Sequence, residues 1–390
     1  MKRKSFFFLL AMVLFGVLQS CHSGTSLHPM VIHPDFTKQE RACLSEIASE
    51  VKYVCLDSSV IIGEIYNLKC TNDYLFVFSG EGTIHVFDHE GRFLKNISQK
   101  GRGPGEILSY TDFDVDSLDH SVYILDNRRN VKVFSFDNQF LREILIDDEA
   151  YSQAITLHKN NIYLFNNFSF GQLNCNWLVF DTNGNRVSGY KNSLGQFEST
   201  VSYKITCTFK SNGNIYYWNS LNDTIFLVSS TKGELGFVFA QGSYRIQQKD
   251  LKDHDSFMEM DAPLLTGLFA SGSHLLFQYN HIKANEASLG VYNTKTGIYT
   301  TAAWGEAGSP NSGLYNGYDS GIAFNPIGQV NNGEYLASSI NAFELKAHIA
   351  SEAFKTSTPK YPEKKRELEQ LANSLSNNDN PVLMLVKMKE

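Results

Sequence analysis

Thr83-Ile84-His85-Val86-Phe87-Asp88-His89-Glu90-Gly91-Arg92-Phe93-Leu94-Lys95 reads as a strand, a tight turn and a second strand. The same phrase returns 47 residues later as Asn130-Val131-Lys132-Val133-Phe134-Ser135-Phe136-Asp137-Asn138-Gln139-Phe140-Leu141-Arg142. Tyr74-Leu75-Phe76-Val77-Phe78 precedes the first copy and Ser121-Val122-Tyr123-Ile124-Leu125 precedes the second, in phase. Short runs of β-branched and aromatic residues, broken by Asp, Asn and Gly, predict antiparallel hairpins. Their recurrence at a fixed interval predicts a repeat architecture.

Looser copies follow. Asn161–Phe165 leads to Trp177–Gly184, Asn214–Trp218 to Asp223–Leu227, and His274–Tyr279 to Leu289–Asn293. A sixth, weaker unit pairs Gly321–Phe324 with Glu334–Ala337. Six small antiparallel sheets predict an all-β, six-bladed β-propeller over residues 50–390, since ring closure leaves only short, protected edges. An open solenoid would need polar caps that neither end supplies. A seventh blade would have to hide in the divergent stretch 236–272. Glu50–Leu56 and Pro381–Met388 are both strand-like, and their pairing within the last blade would lock the ring. Between the units, Tyr361-Pro362-Glu363 starts a helix whose Leu368, Leu371 and Leu375 share one face, a short helical insertion near the C-terminus. Asp88, Asp137 and Asp181 read as equivalent hairpin-turn acids, a local backbone requirement.

The N-terminus carries a different message. Lys2, Arg3 and Lys4 stand ahead of an apolar run, Phe6 to Leu18, which has the form of a secretory signal over residues 1–20. The run is shorter than the roughly 20 residues a membrane span requires. Leu18-Gln19-Ser20-Cys21 resembles the lipobox of bacterial lipoproteins, which implies cleavage before Cys21 and lipid on its thiol. Several acyl chains, at about 0.8 kcal/mol per buried methylene, give stable anchoring. Residues 21–49 then form a tether and lead-in to the ring. Without residues 1–20 the chain has 31 Lys/Arg against 41 Asp/Glu, a net charge of −10. Such acidity argues against nucleic acid as a partner, whose binding rests on cationic neutralisation of phosphates. Besides Cys21 the chain has Cys43, Cys55, Cys70, Cys175 and Cys207, without metal-ligand spacing, and they read as small buried hydrophobes, with one disulfide in an oxidising compartment as the alternative.

Taken together, the chain resembles the six-bladed β-propeller lipoproteins of Bacteroides and relatives, an uncharacterised group similar in architecture to NHL-type propellers. The resemblance runs from Glu50 to Glu390. It rests on Lys100-Gly101-Arg102-Gly103-Pro104-Gly105-Glu106, on Asn222-Asp223-Thr224-Ile225-Phe226 and on Asp379-Asn380-Pro381-Val382-Leu383. It implies a fold and a compartment but no catalytic chemistry. In that group a short acidic run after the lipid cysteine accompanies surface export. His22-Ser23-Gly24-Thr25-Ser26 has none, so the expected location is the periplasmic side of the outer membrane, with the cell surface as the alternative.

Candidate chemistry is sparse. The turn Gly101, Arg102, Gly103, Pro104, Gly105, Glu106 lacks the Lys-Ser/Thr ending of a phosphate loop, and Pro104 removes a backbone donor. It reads as a tight blade crossing in which Arg102 and Glu106 are free to pair, with a ligand-facing role at the rim as the alternative. There is no HExxH and no nucleophile elbow. The stretch 248–255 lacks the Gly and terminal Glu of a calcium loop. Calcium stays open as a channel ligand held by carboxylates from separate blades. Trp218, Tyr279, Trp304 and Tyr318 are candidate stacking surfaces at a binding mouth. The function expected is a non-catalytic binding or scaffolding module of the cell envelope, recognising a glycan, peptide or partner protein at a propeller face. Two alternatives stand beside it: a metal-assisted hydrolase or lyase at the central channel, and a purely structural envelope component.

Overall fold

The paired hairpins form, and a computed structural model shows the ring they build. It describes residues 30–36, 42–80, 82–103, 105–146, 153–166, 175–192, 199–200, 204–229 and 232–390. The signal, Cys21 and Pro104 lie outside the described residues. Ahead of the first blade come β1 (Val31–Ile32), the short helix α1 (Leu44–Ile47) and β2 (Ala48–Cys55). Blade 1 holds β3 (Asn67–Cys70), β4 (Leu75–Phe78), β5 (Ile84–Phe87) and β6 (Phe93–Ile97). Blade 2 holds β7 (Tyr110–Asp116), β8 (Ser121–Asp126), β9 (Asn130–Ser135) and β10 (Phe140–Leu145). Blade 3 follows with β11 (Ala154–His158), β12 (Asn161–Phe165), β13 (Cys175–Asp181) and β14 (Arg186–Lys191). Blade 4 has β15 (Thr206–Ser211), β16 (Asn214–Asn219), β17 (Thr224–Val228) and β18 (Gly233–Phe239), with β1 added in parallel outside β18. After helix α2 (His254–Met258), blade 5 has β19 (Leu264–Ser271), β20 (His274–His281), β21 (Glu286–Asn293), β22 (Tyr299–Thr301) and the two-residue β23 (Gly305–Glu306). Blade 6 comprises β24 (Gly328–Val330), β25 (Tyr335–Ile340) and β26 (Val382–Met388), completed by β2.

The middle strands are mostly apolar because both of their faces are covered by neighbouring blades. In β8, Val122 and Ile124 join a core layer with Phe76, Ile84 and Val86 of blade 1. Tyr123 and Leu125, pointing the other way, join Ile155, Ile162 and Leu164 of blade 3. One alternation thus feeds two interfaces, and the core is a ring of such layers. Each large side chain buried in this way contributes about 1.5–3 kcal/mol. The outermost strands have one dry face at most, so β10 is exposed at every position but Ile144.

Ring closure occurs where the two strand-like ends predicted it. β2 runs antiparallel to β26, with Val51 opposite Val386 and Cys55 opposite Val382. Asn380 clasps the seam. Its Oδ1 accepts from the Ile62 N–H (2.7 Å), and its Nδ2 donates to the Asp57 and Val60 carbonyls (2.8 and 2.7 Å). The helical insertion sits inside this blade, between β25 and β26, as α3 (Ala342–Ala350), α4 (Glu352–Thr356) and α5 (Pro362–Ser374). Pro362 occupies the first turn of α5, where a missing N–H costs nothing. Leu368 is buried, and Leu371 and Leu375 pack partly buried against the same core, as their spacing predicts.

Several expectations are corrected. Gly321–Phe324 is not a blade strand; the innermost strand of blade 6 is the three-residue β24, too short and polar to register as a strand pattern. No seventh blade hides in 236–272, which holds the end of β18, two 3₁₀ turns, α2 and β19, the inner strand of blade 5. Asp137 is not equivalent to Asp88 and Asp181. Asp88 Oδ1 accepts from the Glu90 and Arg92 N–H groups, and Asp181 Oδ1 from those of Asn183 and Asn185. In blade 2 that position belongs to Ser135, whose Oγ accepts from the Gln139 N–H, while Asp137 pairs with Lys95 at 2.7 Å. Gly91, in the blade 1 turn, has φ +81°, and a β-carbon there would collide with the Cys55 carbonyl at the seam. Glycine is needed where that turn meets β2.

Candidate functional site

In each blade the strand nearest the axis runs away from the preceding blade's outer strand, so alternate connections gather at one end of the ring. The tight turns between first and second strands lie at the other. The long connections 98–109, 240–263, 302–327 and the helical insertion 341–381 therefore all attach at the end where the inner strands begin. Between the inner strands runs a cavity of about 1290 Å³, lined by all six blades.

A belt of polar side chains spans this channel. Asn67 of blade 1 donates to Asp112 Oδ1 in blade 2 (2.5 Å), and Asp112 Oδ2 accepts the Ile155 N–H of blade 3 (2.8 Å). Two residues along β7, Asp114 Oδ2 accepts the Leu157 N–H (2.8 Å) and pairs across the channel with Lys210 Nζ of blade 4 (3.0 Å). Gln329 of blade 6 accepts from the Lys210 N–H and donates to the carbonyls of Lys210 and Ala270, the latter in blade 5. Cys70 Sγ donates to Asn331 Oδ1 (3.1 Å), joining blade 1 back to blade 6. Every blade is tied into the belt.

The two aspartates are pushed apart electrostatically. Burial raises Asp112 above the ordinary carboxylate range, against the pull of Lys69 and of the Ile155 and Phe113 N–H groups. Burial is the largest influence on Asp114 too, but Lys210, Lys69 and the Leu157 N–H together outweigh it and hold the carboxyl low. Opposite displacement of paired acids marks acid–base sites. Here, however, oxygens of both carboxylates are already committed to N–H groups of blade 3, a tie between blades.

The predicted candidates lie elsewhere. The glycine-rich turn is anchored on itself: Glu106 accepts from the Gly103 N–H (2.7 Å) and from Gln99 Nε2 (2.9 Å), which hold its carboxyl low. The expected Arg102–Glu106 pair does not form, because those backbone and amide donors satisfy Glu106 first. A β-carbon at Gly101 would collide with Glu106 Oε2. Lys132 donates to the Glu106 carbonyl and forms a buried pair with Asp126 (3.0 Å), whose carboxylate also takes the Leu108 and Ser109 N–H groups. Trp218 is fully buried, donating to the Asn222 carbonyl at 3.1 Å. Tyr318 is buried against Tyr361. Tyr279 and Trp304 are brought together, with Tyr244, around Phe36 of the lead-in, at ring distances of 4.9, 6.2 and 4.7 Å. None of the four candidate aromatics lines the channel. Part of the lead-in is thus docked: Val31–Ile32 extends blade 4 and Phe36 seats on blade 5.

No disulfide joins the five cysteines within the described residues; Cys175 and Cys207 are buried, and Cys43, Cys55 and Cys70 half-buried. Burial pushes the Cys207 thiol up to about 11. Among the described residues no three His, Cys, Asp or Glu side chains are grouped to hold a metal ion. Sequence reasoning passed over Asp112, Asp114, Lys210 and Gln329. A signal was present in Tyr110-Thr111-Asp112-Phe113-Asp114-Val115-Asp116, where acids alternate along a strand that sits against an otherwise apolar ring.

Comparison with known proteins agrees on the architecture. A "Putative exported protein" from Bacteroides fragilis superposes with a TM-score of 0.68 at 15% identity, covering 93% of this chain and 99% of that one. A member of the duf4221 family from Bacteroides vulgatus gives 0.50 at 10% identity, covering 90% and 99%. At such identities the likeness concerns the fold. No curated protein matches the chain. A family model described as a domain of unknown function, DUF4934, matches residues 30–387, and the chain belongs to that family.

Proposed function

We propose that the protein is a non-catalytic recognition module of the bacterial cell envelope, binding a glycan, peptide or partner protein at the loop-bearing end of its channel. The observation that carries this reading is topological. The long connections all attach at one end of a rigid ring, around the mouth of a large cavity, the usual arrangement of function on a fixed scaffold. The commitment of Asp112 and Asp114 to inter-blade bonds supports a structural rather than a chemical role for them. The test is capture of envelope proteins and glycans by the full chain and by a variant with 306–313 shortened. Loss of capture by the variant, without turnover of the captured ligand, is the expected result; equal capture by both defeats the reading. A second reading, a purely structural component, is favoured by the side of the ring, where β10 exposes Phe140, Leu141 and Leu145 (40, 47 and 75%). It predicts that Leu145→Lys, and not the loop variant, abolishes capture.

The module is exported and held at the outer membrane, facing the periplasm, by lipid on Cys21. The basic start, the apolar run and the Leu18–Cys21 stretch support this, as does the description of the Bacteroides fragilis relative as exported. Cys21→Ser should move the protein from the membrane pellet to the soluble periplasmic fraction. A variant that stays in the pellet through detergent-free washing contradicts the lipid anchor.

A further inference from the structure

Three cavities adjoin at the loop-bearing end. The channel shares Thr266 and Gln278 with a second cavity of about 260 Å³, and Glu64, Ile65 and Ile327 with a third of about 350 Å³. The second and third share Gly308, Ser312 and Asn325, so the connection 302–327 forms a wall common to both. Together they make one trough in the sector of blades 5, 6 and 1. Its chemistry differs from that of the belt. Whereas Asp114 and Lys210 of the belt are spent on each other and Asp112 on Asn67 and the Ile155 N–H, the trough presents, beside Glu64 and Glu344, uncharged polar groups with capacity left. Asn280, Ser338 and Ser339 line it, and among the described residues their side chains make no hydrogen bond within the protein. On the channel wall, Gln153 Nε2 is buried without a partner. A buried donor left unpaired costs about 1–3 kcal/mol, which a ligand acceptor would recover. At the mouth stands Tyr66, lining the channel and yet 62% exposed.

We infer that the trough is a carbohydrate site, taking an uncharged or weakly charged oligosaccharide of several residues whose ring stacks on Tyr66. This rests on the recognition-module reading and names its ligand class. Amide and hydroxyl side chains match the alternating donors and acceptors of sugar hydroxyls. An exposed tyrosine offers a flat amphipathic face with little entropy to lose. A peptide would call instead for apolar pockets or a free strand edge at the mouth. The trough's combined volume suits more than one sugar ring by the measure of ordinary ligand pockets, which span about 300–1,000 Å³.

The test is calorimetry of the purified full chain in detergent against neutral oligosaccharides of four to eight residues (glucans, mannans, xylans and chito-oligosaccharides) and against peptides of equal length. At least one saccharide should bind, and Tyr66→Ala and Asn280→Ala should each weaken it tenfold or more with unchanged unfolding midpoints. Tyr66→Phe, which keeps the ring, should retain binding within about threefold. Saccharide binding indifferent to both alanine variants overturns the site. Peptide binding at the mouth with no saccharide bound overturns the carbohydrate class and leaves the recognition module standing. No binding by any saccharide or peptide, together with loop-independent capture, overturns both.

Discussion

Blade 2 and blade 6 are the same four-stranded object made in two ways. Blade 2 is one uninterrupted run, Tyr110–Leu145, whose hairpins need only local turns. Blade 6 takes its outer strand from residues 48–55 and its other three from 328–388, with three helices between the second and third. Its closing strands come from opposite ends of the chain. Loop-closure entropy must be met before that pairing is rewarded. The difference explains why the seam carries a buried polar clasp: Asn380 replaces, with three hydrogen bonds, the covalent turn that every other blade has between its third and fourth strands.

The largest expected effect asks whether the two blades share one cooperative unit. Leu125→Ala in blade 2 and Leu383→Ala in blade 6 remove side chains that are both fully buried, and each should cost about 2–5 kcal/mol. Denaturant unfolding followed by tryptophan fluorescence and by circular dichroism should show one transition in both variants. An early separate transition in Leu383→Ala alone would mean that the seam opens independently. Asn380→Ala comes next, at about 2–3 kcal/mol, from hydrogen bonds worth about 0.5–1.5 kcal/mol each and a carbonyl pair left buried. Amide exchange should accelerate in Ala48–Cys55 and not in β8 or β9; uniform acceleration would show that the clasp is not local to the seam.

A smaller effect tests the channel belt that spans both blades. Asp114→Asn breaks the pair with Lys210 and should cost about 2 kcal/mol at pH 7, below the figure for a fully buried pair because Lys210 is partly exposed. Asp114 is held low in the folded protein, so its stabilisation is present above the unfolded-state value near 4 and is lost as pH falls through the folded value. The gap between wild type and variant should therefore close on acidification below pH 4. A gap that stays constant down to pH 2 would show that charge is not what Asp114 contributes. Asp112, displaced the other way, works against stability above its own range, and its variant should not share this acid dependence.

Much of the architecture could be read along the chain because it repeats. The 47-residue interval, the Asp–x–x–Gly turns and the two strand-like ends each rest on local rules: period-2 alternation, backbone-bonding turn acids and apolar runs that need covering. The same logic located the helix at 362–374 by its leucine stripe. What local rules do not encode is which polar residues face each other across an axis. Asp114, Lys210 and Gln329 are 96 and 119 residues apart in sequence, and only closure of the ring puts them in one belt. For the same reason the aromatic candidates went astray. A tryptophan within a strand, such as Trp218, looks identical in sequence whether its strand is second from the axis or lines it. Phe36 gave no sign that it would draw Tyr279 and Trp304 around itself. Composition and periodicity determined what kind of ring this chain makes. The order of strands from the axis, a property of the closed structure alone, decided which side chains the ring spends on holding itself together and which it leaves facing an open mouth.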